Sequence, residues 1–218
     1  MLSSNYSNRL FGRRRGRSKK KINLKNYYET VDKYKFQNFN EETEYILDVG
    51  TGYGETSIFL AKQFPDKIII SCEKYIDGNL ILLKNIENNK IKNILLHNGN
   101  VYDVLESINK KYLKLIWIFF PDPWPKNRHS KRRLVTSEFL VKLHKNMKEN
   151  SEICIATDSV IYVRFILNSI YKCKDYFLCV NQSKINLGIK DYFDIETKYY
   201  KKAINSQRKP SLFILRKL

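Results

Sequence analysis

Short apolar segments alternate with longer amphipathic segments along most of the chain. Five apolar runs have the length and composition of strands buried on both faces, at 45–50, 67–73, 93–99, 115–121 and 152–158. Apolar residues recur at helical spacing between them, over 55–64, 77–89, 101–111, 137–148 and 159–170. This alternation predicts an α/β fold with a doubly wound, mostly parallel sheet, helices on both faces and right-handed crossovers.

The pattern changes after about residue 175. Two further strand-like runs, "YFLCV" and "SLFILRKL", enclose a long polar stretch. We expect them to form an antiparallel hairpin at one edge of the sheet, with a connection that is free to carry function. Residues 1–26 are polar and basic, and are predicted to be a flexible leader before a single domain at 27–218.

Charge is the most unusual bulk property. The 218 residues contain 40 Lys and Arg against 22 Asp and Glu, for a net charge of +18. Such an excess attracts polyanions, so nucleic acid is the first candidate partner. A competing interpretation is that part of the lysine excess is solvated surface without a ligand. Clustering favours the first interpretation, because "RRRGRSKKK" at 13–21 holds seven basic residues in nine and a second cluster lies at 126–133.

Cysteine usage and hydropathy restrict the class of protein further. The four cysteines form no CxxC pair, so reduced and buried thiols without a metal are expected, as in a cytoplasmic protein. The longest apolar runs are too short to span a bilayer, and no secretory signal is visible, so no membrane association is expected. The Arg- and Ser-containing start leaves an organellar targeting segment open as an alternative.

A glycine-rich turn follows the first predicted strand. "LDVGTGYGETS" places Gly50, Gly52 and Gly54 before a helix, and Glu73 ends the second strand, where a carboxylate can accept hydrogen bonds from ribose hydroxyls. Asp48 beside the turn would repel a pyrophosphate but could hold an ammonium group. The site therefore fits S-adenosylmethionine better than NAD. The alternative interpretation is that Asp48 serves only as a cap for the turn.

The fourth predicted strand runs into "FFPDPWPKNRHSKRR" at 119–133. Three prolines restrict the backbone around Asp122, which lies where a doubly wound sheet opens its cofactor crevice. A carboxylate there can accept hydrogen bonds from the ring N–H and the exocyclic amine of guanine, and can stabilise positive charge on the base. Methylation at guanine N7 requires no base to deprotonate the attacking atom.

This stretch resembles the signature of the bacterial tRNA (guanine-N7-)-methyltransferase family. The resemblance extends over nearly the whole chain and includes "DVGTGYGE", "CEK", "ATD" and "TKYY". It implies a class I methyltransferase fold, and transfer of a methyl group from S-adenosylmethionine to N7 of guanine at position 46 in the tRNA variable loop. It also implies that Asp122 is the catalytic residue.

The resemblance and the motifs together define three groups of site residues. The predicted cofactor site comprises Asp48, Gly50, Gly52, Gly54, Glu73 and Asn100. The predicted contacts to the substrate are Lys126, Asp158, Thr197, Lys198, Tyr199 and Tyr200. The predicted contacts to the tRNA backbone are Arg13, Arg14, Arg15, Arg17, Arg128, Lys131, Arg132 and Arg133.

Three positions depart from the family pattern. Asp48 stands where the family commonly has Glu, and Asn100 stands where it usually has Asp. Tyr200 replaces a glutamate, for which Glu196 is a candidate substitute. Two alternatives stay open at this point: a methyltransferase that acts on another substrate, and a non-catalytic RNA-binding relative. Either a monomer or a homodimer is compatible with the sequence.

Overall fold

The computed structural model describes residues 11, 14, 24–36, 39–108, 111–181 and 189–218. Its strands are β1 (Tyr45–Val49), β2 (Ile68–Cys72), β3 (Ile94–His97), β4 (Leu113–Phe119), β5 (Met147–Thr157), β6 (Phe177–Cys179) and β7 (Ser211–Lys217). Its α-helices are α1 (Leu24–Lys33), α2 (Glu55–Gln63), α3 (Ile76–Asn88), α4 (Val101–Ser107), α5 (Ser137–Asn146), α6 (Val160–Lys172) and α7 (Lys198–Asn205). Two short 3₁₀ turns lie at Asn127–Arg132, called the basic turn below, and at Ile189–Asp191.

The seven strands form one sheet in the order β3-β2-β1-β4-β5-β7-β6. Strands β1 to β5 pair in parallel, whereas β7 pairs antiparallel with both β5 and β6. The prediction of a mostly parallel sheet with an antiparallel C-terminal edge is therefore confirmed.

Both faces of the sheet are covered, as the apolar strands predict. On β1, Leu47 belongs to the core layer under α4, α5 and α6, whereas its neighbour Ile46 belongs to the layer under α1, α2 and α3. The same alternation occurs on β5, where Ile155 and Cys154 lie on opposite faces. Alternating side chains of a strand that is covered on both sides are all removed from water, which explains the continuous apolar runs.

Strand order fixes the place of the site. The chain moves from β1 to β2 on one side and later returns to β4 on the other side of β1. Loops that follow the carboxyl ends of β1, β2 and β4 therefore meet at one edge, around the point where the winding direction reverses. The glycine-rich turn, Glu73 and Asp122 follow these three strands directly.

Two helices were absent from the sequence prediction. Helix α1 begins at Leu24, inside the predicted leader, and buries Tyr27 and Val31, which are spaced one turn apart. Helix α7 lies in the polar connection that was expected to be a loop, and among its residues only Ala203 is buried. Both helices are short and mostly polar, and the few apolar residues that each contains lie on one face, so low apolar content hides both helices in the sequence.

The state of the four thiols agrees with the sequence prediction. All four cysteines are free; Cys72, Cys154 and Cys173 are buried and Cys179 is half-buried. In the part of the chain that the structure describes, no helix combines the length and apolar character needed to cross a bilayer. The same residues contain no group of three or more His, Cys, Asp or Glu side chains arranged to hold a metal ion.

Candidate active site

The glycine-rich turn between β1 and α2 is a left-handed backbone segment. Gly50, Gly52 and Gly54 have φ of 74°, 58° and 81°. A Cβ atom on Gly50 would meet no heavy atom within 4 Å, so the space beside this part of the turn is open. A Cβ on Gly54 would instead lie 2.5 Å from the side chain of Leu82 on α3. The turn is thus packed against α3 on one side and leaves room for a ligand on the other.

Asp48 lies beneath the turn and is only 1% exposed. Its Oδ2 accepts hydrogen bonds from the hydroxyls of Thr56, at 2.5 Å, and Ser57, at 2.7 Å, in the first turn of α2. Burial raises the pKa of Asp48 to about 6, although the two hydroxyl bonds favour the carboxylate. The side chain therefore anchors α2 through the hydroxyls of its first turn, and an additional ammonium contact stays a prediction.

Glu73 lies immediately after β2 and faces the glycine-rich turn. Its Oε2 accepts the N–H of Gly52 at 2.9 Å. Its Oε1 accepts the N–H groups of Lys74, at 2.8 Å, and Tyr75, at 3.0 Å. These three bonds fix the orientation of the carboxylate, whose two oxygens together offer about four acceptor positions, so capacity for a ribose hydroxyl is left.

Asn100 begins helix α4. Its side-chain oxygen accepts the N–H of Tyr102 at 3.1 Å, and its own N–H donates to Asp103 Oδ2 at 3.3 Å, which completes a capping box. Position 100 therefore has a local structural role after β3, the strand next to β2. Its predicted contact with an adenine is an additional role that stays a prediction.

Asp122 lies on a loop with unusual backbone geometry. Phe120 and Trp124, which flank it, have φ of 52° and 41°. Non-glycine residues pay roughly 1–3 kcal/mol each for such conformations, and such strain is concentrated at functional sites. The Asp122 side chain is exposed, yet protein atoms around it raise its pKa, while Lys74 acts in the opposite direction. The loop thus presents a solvent-accessible carboxylate on a constrained backbone.

Helix α7 closes the site from the far end of the chain. The backbone N–H of Lys198 donates to the Glu55 carboxylate, at the start of α2, at 2.7 Å. The Lys198 Nζ lies 4.2 Å from the centre of the ring of Tyr53, which belongs to the glycine-rich turn. Tyr199 is 48% exposed and stacks against Phe120 with ring centres 6.3 Å apart. The structure therefore places Tyr199 between the glycine-rich turn and the Asp122 loop.

The pKa of Tyr199 reflects the groups that surround it in the cleft. Burial is the main cause that raises the pKa of Tyr199, and the next contribution comes from Asp122, followed by Tyr53 and Glu73. Residues that are up to 146 positions apart in the sequence, Tyr53 and Tyr199, thus share one cleft with the predicted catalytic carboxylate. Sequence reasoning missed Tyr53 and Glu55, although both stand inside the motif "DVGTGYGE".

Two predicted substrate residues next to α7 have protein partners. Thr197 is buried and its hydroxyl accepts the N–H of Tyr200 at 3.0 Å, so it caps α7. Asp158, which follows β5, forms an ion pair with Arg208 at 2.7 Å. The candidate substitute Glu196 pairs with Lys190 and Lys201, so lysines already engage its carboxylate.

The basic turn lies directly after the Asp122 loop. Lys126, Arg128 and Lys131 are exposed. The guanidinium of Arg132 lies 4.9 Å from the centre of the Trp124 ring and 5.1 Å from that of Phe11. These residues form a cationic surface beside Asp122.

Arg133 differs from its neighbours because it is only 7% exposed. Its guanidinium is directed to the carbonyls of the Asp122 loop, so it lacks the surface position that a contact with the tRNA backbone requires. The sequence gives no sign of this difference, since Arg133 ends an uninterrupted basic run.

The leader is described at two positions that bear on the site. Phe11 packs edge-on against Trp124, and the carbonyl of Arg14 accepts the N–H of Ile76 at the start of α3, at 2.8 Å. The Arg14 guanidinium donates to the Tyr28 hydroxyl at 3.2 Å. The predicted tRNA contacts Arg13, Arg15 and Arg17 lie outside the described residues.

Comparison with known proteins gives the family context of this site. A family model described as "Putative methyltransferase" matches residues 42–211. A tRNA (guanine-N(7)-)-methyltransferase of Wolbachia pipientis wMel is 34% identical over 194 residues, which cover 85% of this chain and 84% of the relative. A tRNA (guanine-N(7)-)-methyltransferase of Neorickettsia sennetsu is 35% identical over 164 residues, which cover 74% of each chain.

Solved structures support the fold. A Streptococcus mutans protein whose structure was determined in complex with SAH superimposes with a TM-score of 0.54 at 11% identity, and the match covers 91% of this chain and 99% of that one. At such low identity, the likeness shows the shared architecture alone.

Proposed function

This chain belongs to the tRNA (guanine-N(7)-)-methyltransferase family, and we propose that it transfers a methyl group from S-adenosylmethionine to N7 of a guanine in tRNA. We further propose that this guanine is at position 46 of the variable loop, as the resemblance to the family implies. One observation carries the proposal most directly: Asp122, an exposed carboxylate on a constrained loop, shares a cleft with Tyr53 and Tyr199 and is followed at once by the basic turn.

The residues at the carboxyl edge of the sheet fit the proposed cofactor. Open space beside Gly50 admits a ligand close to the backbone, and Glu73 is fixed where a ribose would lie. The buried carboxylate of Asp48 can receive an ammonium group that enters the turn. S-adenosylmethionine would supply a methyl group on a positively charged sulfur atom.

Asp122 has the properties that the target base requires. Guanine N7 attacks with its lone pair, the new N–C bond forms as the S–C bond breaks, and positive charge moves onto the purine. A carboxylate that accepts hydrogen bonds from the ring N–H and the exocyclic amine would both select guanine and stabilise that charge. No proton leaves the attacking atom, so no histidine base is needed.

Aromatic and cationic groups complete the proposed substrate site. Tyr199 offers a half-exposed ring at the entrance to the cleft, where a flipped base can stack. Lys126, Arg128, Lys131 and Arg132 lie beside Asp122, so phosphates of a bound tRNA would be held next to the reacting base. The basic leader would extend the same contact, in a protein that we expect to act in the cytoplasm.

A methylation assay tests the proposal directly. Purified protein is incubated with labelled S-adenosylmethionine and unmodified tRNA, and N7-methylguanine is located by mild reduction and strand cleavage at the modified nucleotide. We expect cleavage at position 46 only. A transcript with adenine at that position serves as the matched control and should remain unlabelled.

The other outcomes identify the rival hypotheses. Label on a different base or on protein would indicate a methyltransferase with another substrate. Intact tRNA binding without any transfer would indicate a non-catalytic RNA-binding relative. Either result would overturn the proposed activity.

A further inference from the structure

Arg133 directs a buried positive charge toward the backbone of the Asp122 loop. Its Nε donates to the Pro123 carbonyl at 2.9 Å and its Nη2 donates to the Trp124 carbonyl at 3.1 Å. The guanidinium carbon lies 4.9 Å from the centre of the Phe165 ring on α6. Within the described part of the chain, Arg133 forms no salt bridge, so its partners are the two carbonyls and the rings of Phe165 and Tyr162, the latter centred 6.0 Å from the guanidinium carbon.

The loop backbone has few N–H groups with which to hold its shape, although the ring of Trp124 packs against Phe11 and Arg132. Pro121, Pro123 and Pro125 have no N–H to donate, and Trp124 is held in a left-handed conformation that non-glycine residues avoid. The two carbonyls bound by Arg133 belong to the residues directly after Asp122. A planar guanidinium can bind both at once, whereas an ammonium is a single point charge.

We infer that Arg133 is a positioning residue, which holds the Asp122 loop in its strained conformation and joins it to the end of the basic turn. This role rests on the proposed methyl transfer, because it places the carboxylate against the target base. The Arg133 N–H donates to the Ser130 carbonyl at 3.1 Å, so the same residue ties the loop to the turn that displays Arg128, Lys131 and Arg132.

The alternative expected from the basic run is that Arg133 binds a tRNA phosphate. The two roles differ in their consequences. Loss of a phosphate contact weakens tRNA binding and lowers the slope of log affinity against log salt concentration by about one. Loss of a positioning contact misplaces Asp122, which lowers kcat by ~10–100-fold while the binding constants change little.

The experiment compares wild type with Arg133→Met and Arg133→Lys in the full-length chain. Single-turnover rates, the KM for S-adenosylmethionine and the salt dependence of tRNA binding are measured for each. Arg164→Met is the matched control, because Arg164 lies on α6 next to Phe165 but is exposed. Thermal unfolding is followed for all variants.

Tryptophan fluorescence reports on the loop without tRNA or cofactor. Of the two tryptophans, Trp117 is fully buried on β4 and Trp124 is half-buried on the loop. We expect Arg133→Met to increase acrylamide quenching of Trp124 emission and Arg133→Lys to increase it less. Emission from a Trp124→Phe protein identifies the part of the signal that comes from Trp117. Arg164→Met should match wild type in emission and in rate.

The outcomes separate the inference from the proposed function. An Arg133→Met protein with wild-type kcat and emission, or one with weakened tRNA binding and a lower salt slope at unchanged kcat, overturns the inference. If wild type itself transfers no methyl group to guanine N7, the proposed function fails, and the quenching measurement still tests whether Arg133 holds the loop.

Discussion

The protonation of Asp48 provides a quantitative test of the proposed cofactor site. Burial raises the pKa of this carboxyl from 3.8 to about 6 in the protein without ligand. If the carboxylate receives the ammonium group of S-adenosylmethionine, the ligand binds the deprotonated form. Affinity should then be constant near pH 7 and fall as pH drops through 6, by ~10-fold at pH 5.

Stability without ligand should change in the opposite direction. The folded protein holds the Asp48 proton more tightly than the unfolded chain does. Protonation of Asp48 therefore contributes fully to the free energy of unfolding below pH 4, and this contribution is lost as pH rises through 6. The difference between a pKa of 3.8 and one of about 6 corresponds to ~3 kcal/mol. Asp48→Asn removes the titration but keeps an amide that can still pair with the hydroxyls of Thr56 and Ser57.

Calorimetric titration of S-adenosylmethionine between pH 5 and pH 7.5 measures the first effect. The upper limit avoids loss of the proton from the ligand's own amino group, whose class titrates near pH 8. The Asp48→Asn protein should bind S-adenosylmethionine more weakly than wild type at pH 7, and its affinity should not change between pH 7 and pH 5. Denaturant unfolding of both proteins at pH 4 and pH 7 measures the second effect. A wild-type affinity that stays constant to pH 5 would refute the ammonium contact.

Three further predictions concern the Asp122 loop, the leader and the glycine-rich turn. Asp122→Asn should lower the methyl-transfer rate by ~10²–10³-fold, with tRNA affinity in a filter-binding assay changed by less than about twofold; a large loss of affinity would contradict this. Deletion of residues 1–21 should weaken tRNA binding and flatten its salt dependence, and an unchanged salt slope would show that the leader makes no contact with tRNA phosphates. Gly54→Ala should reduce the free energy of unfolding by ~2–3 kcal/mol, because the new methyl group meets Leu82, whereas Gly50→Ala should cost only ~1 kcal/mol and mainly reduce cofactor affinity. Equal stability losses in the two glycine variants would be inconsistent with the packing described here.

The sequence predicts the sheet and the edge at which the site forms because both follow from local patterns. Continuous apolar runs identify β1, β2 and β4, and parallel pairing brings the ends of those strands together. Glu73 and Asp122 each stand directly after such a run, so their placement requires no knowledge of side-chain packing. Their proximity in the structure follows from strand order alone.

Other parts of the site depend on contacts that a linear pattern does not contain. Glu55 binds the N–H of Lys198, which lies 143 positions away in the sequence. Helix α7 is mostly polar, so the small apolar face formed by Tyr200 and Ala203 is supplemented by this bond and by the ring contact of Tyr199. Arg133 shows the same limit, since its burial depends on the ring of Phe165 and on carbonyls of the folded loop.

Asp48 and Asp122 both have raised pKa values, but they differ in exposure. This difference suits the two carboxyl groups to different ligands. Asp48 is enclosed under the glycine-rich turn, so only a small group that enters the turn can reach it. Asp122 is exposed beside a cationic surface, so it is open to a base that belongs to a macromolecule. The cations of the basic turn attract any polyanion equally, because phosphate contacts carry no sequence information. In the proposed function, selection of guanine is therefore assigned to Asp122, and its precision would depend on how rigidly the loop is held.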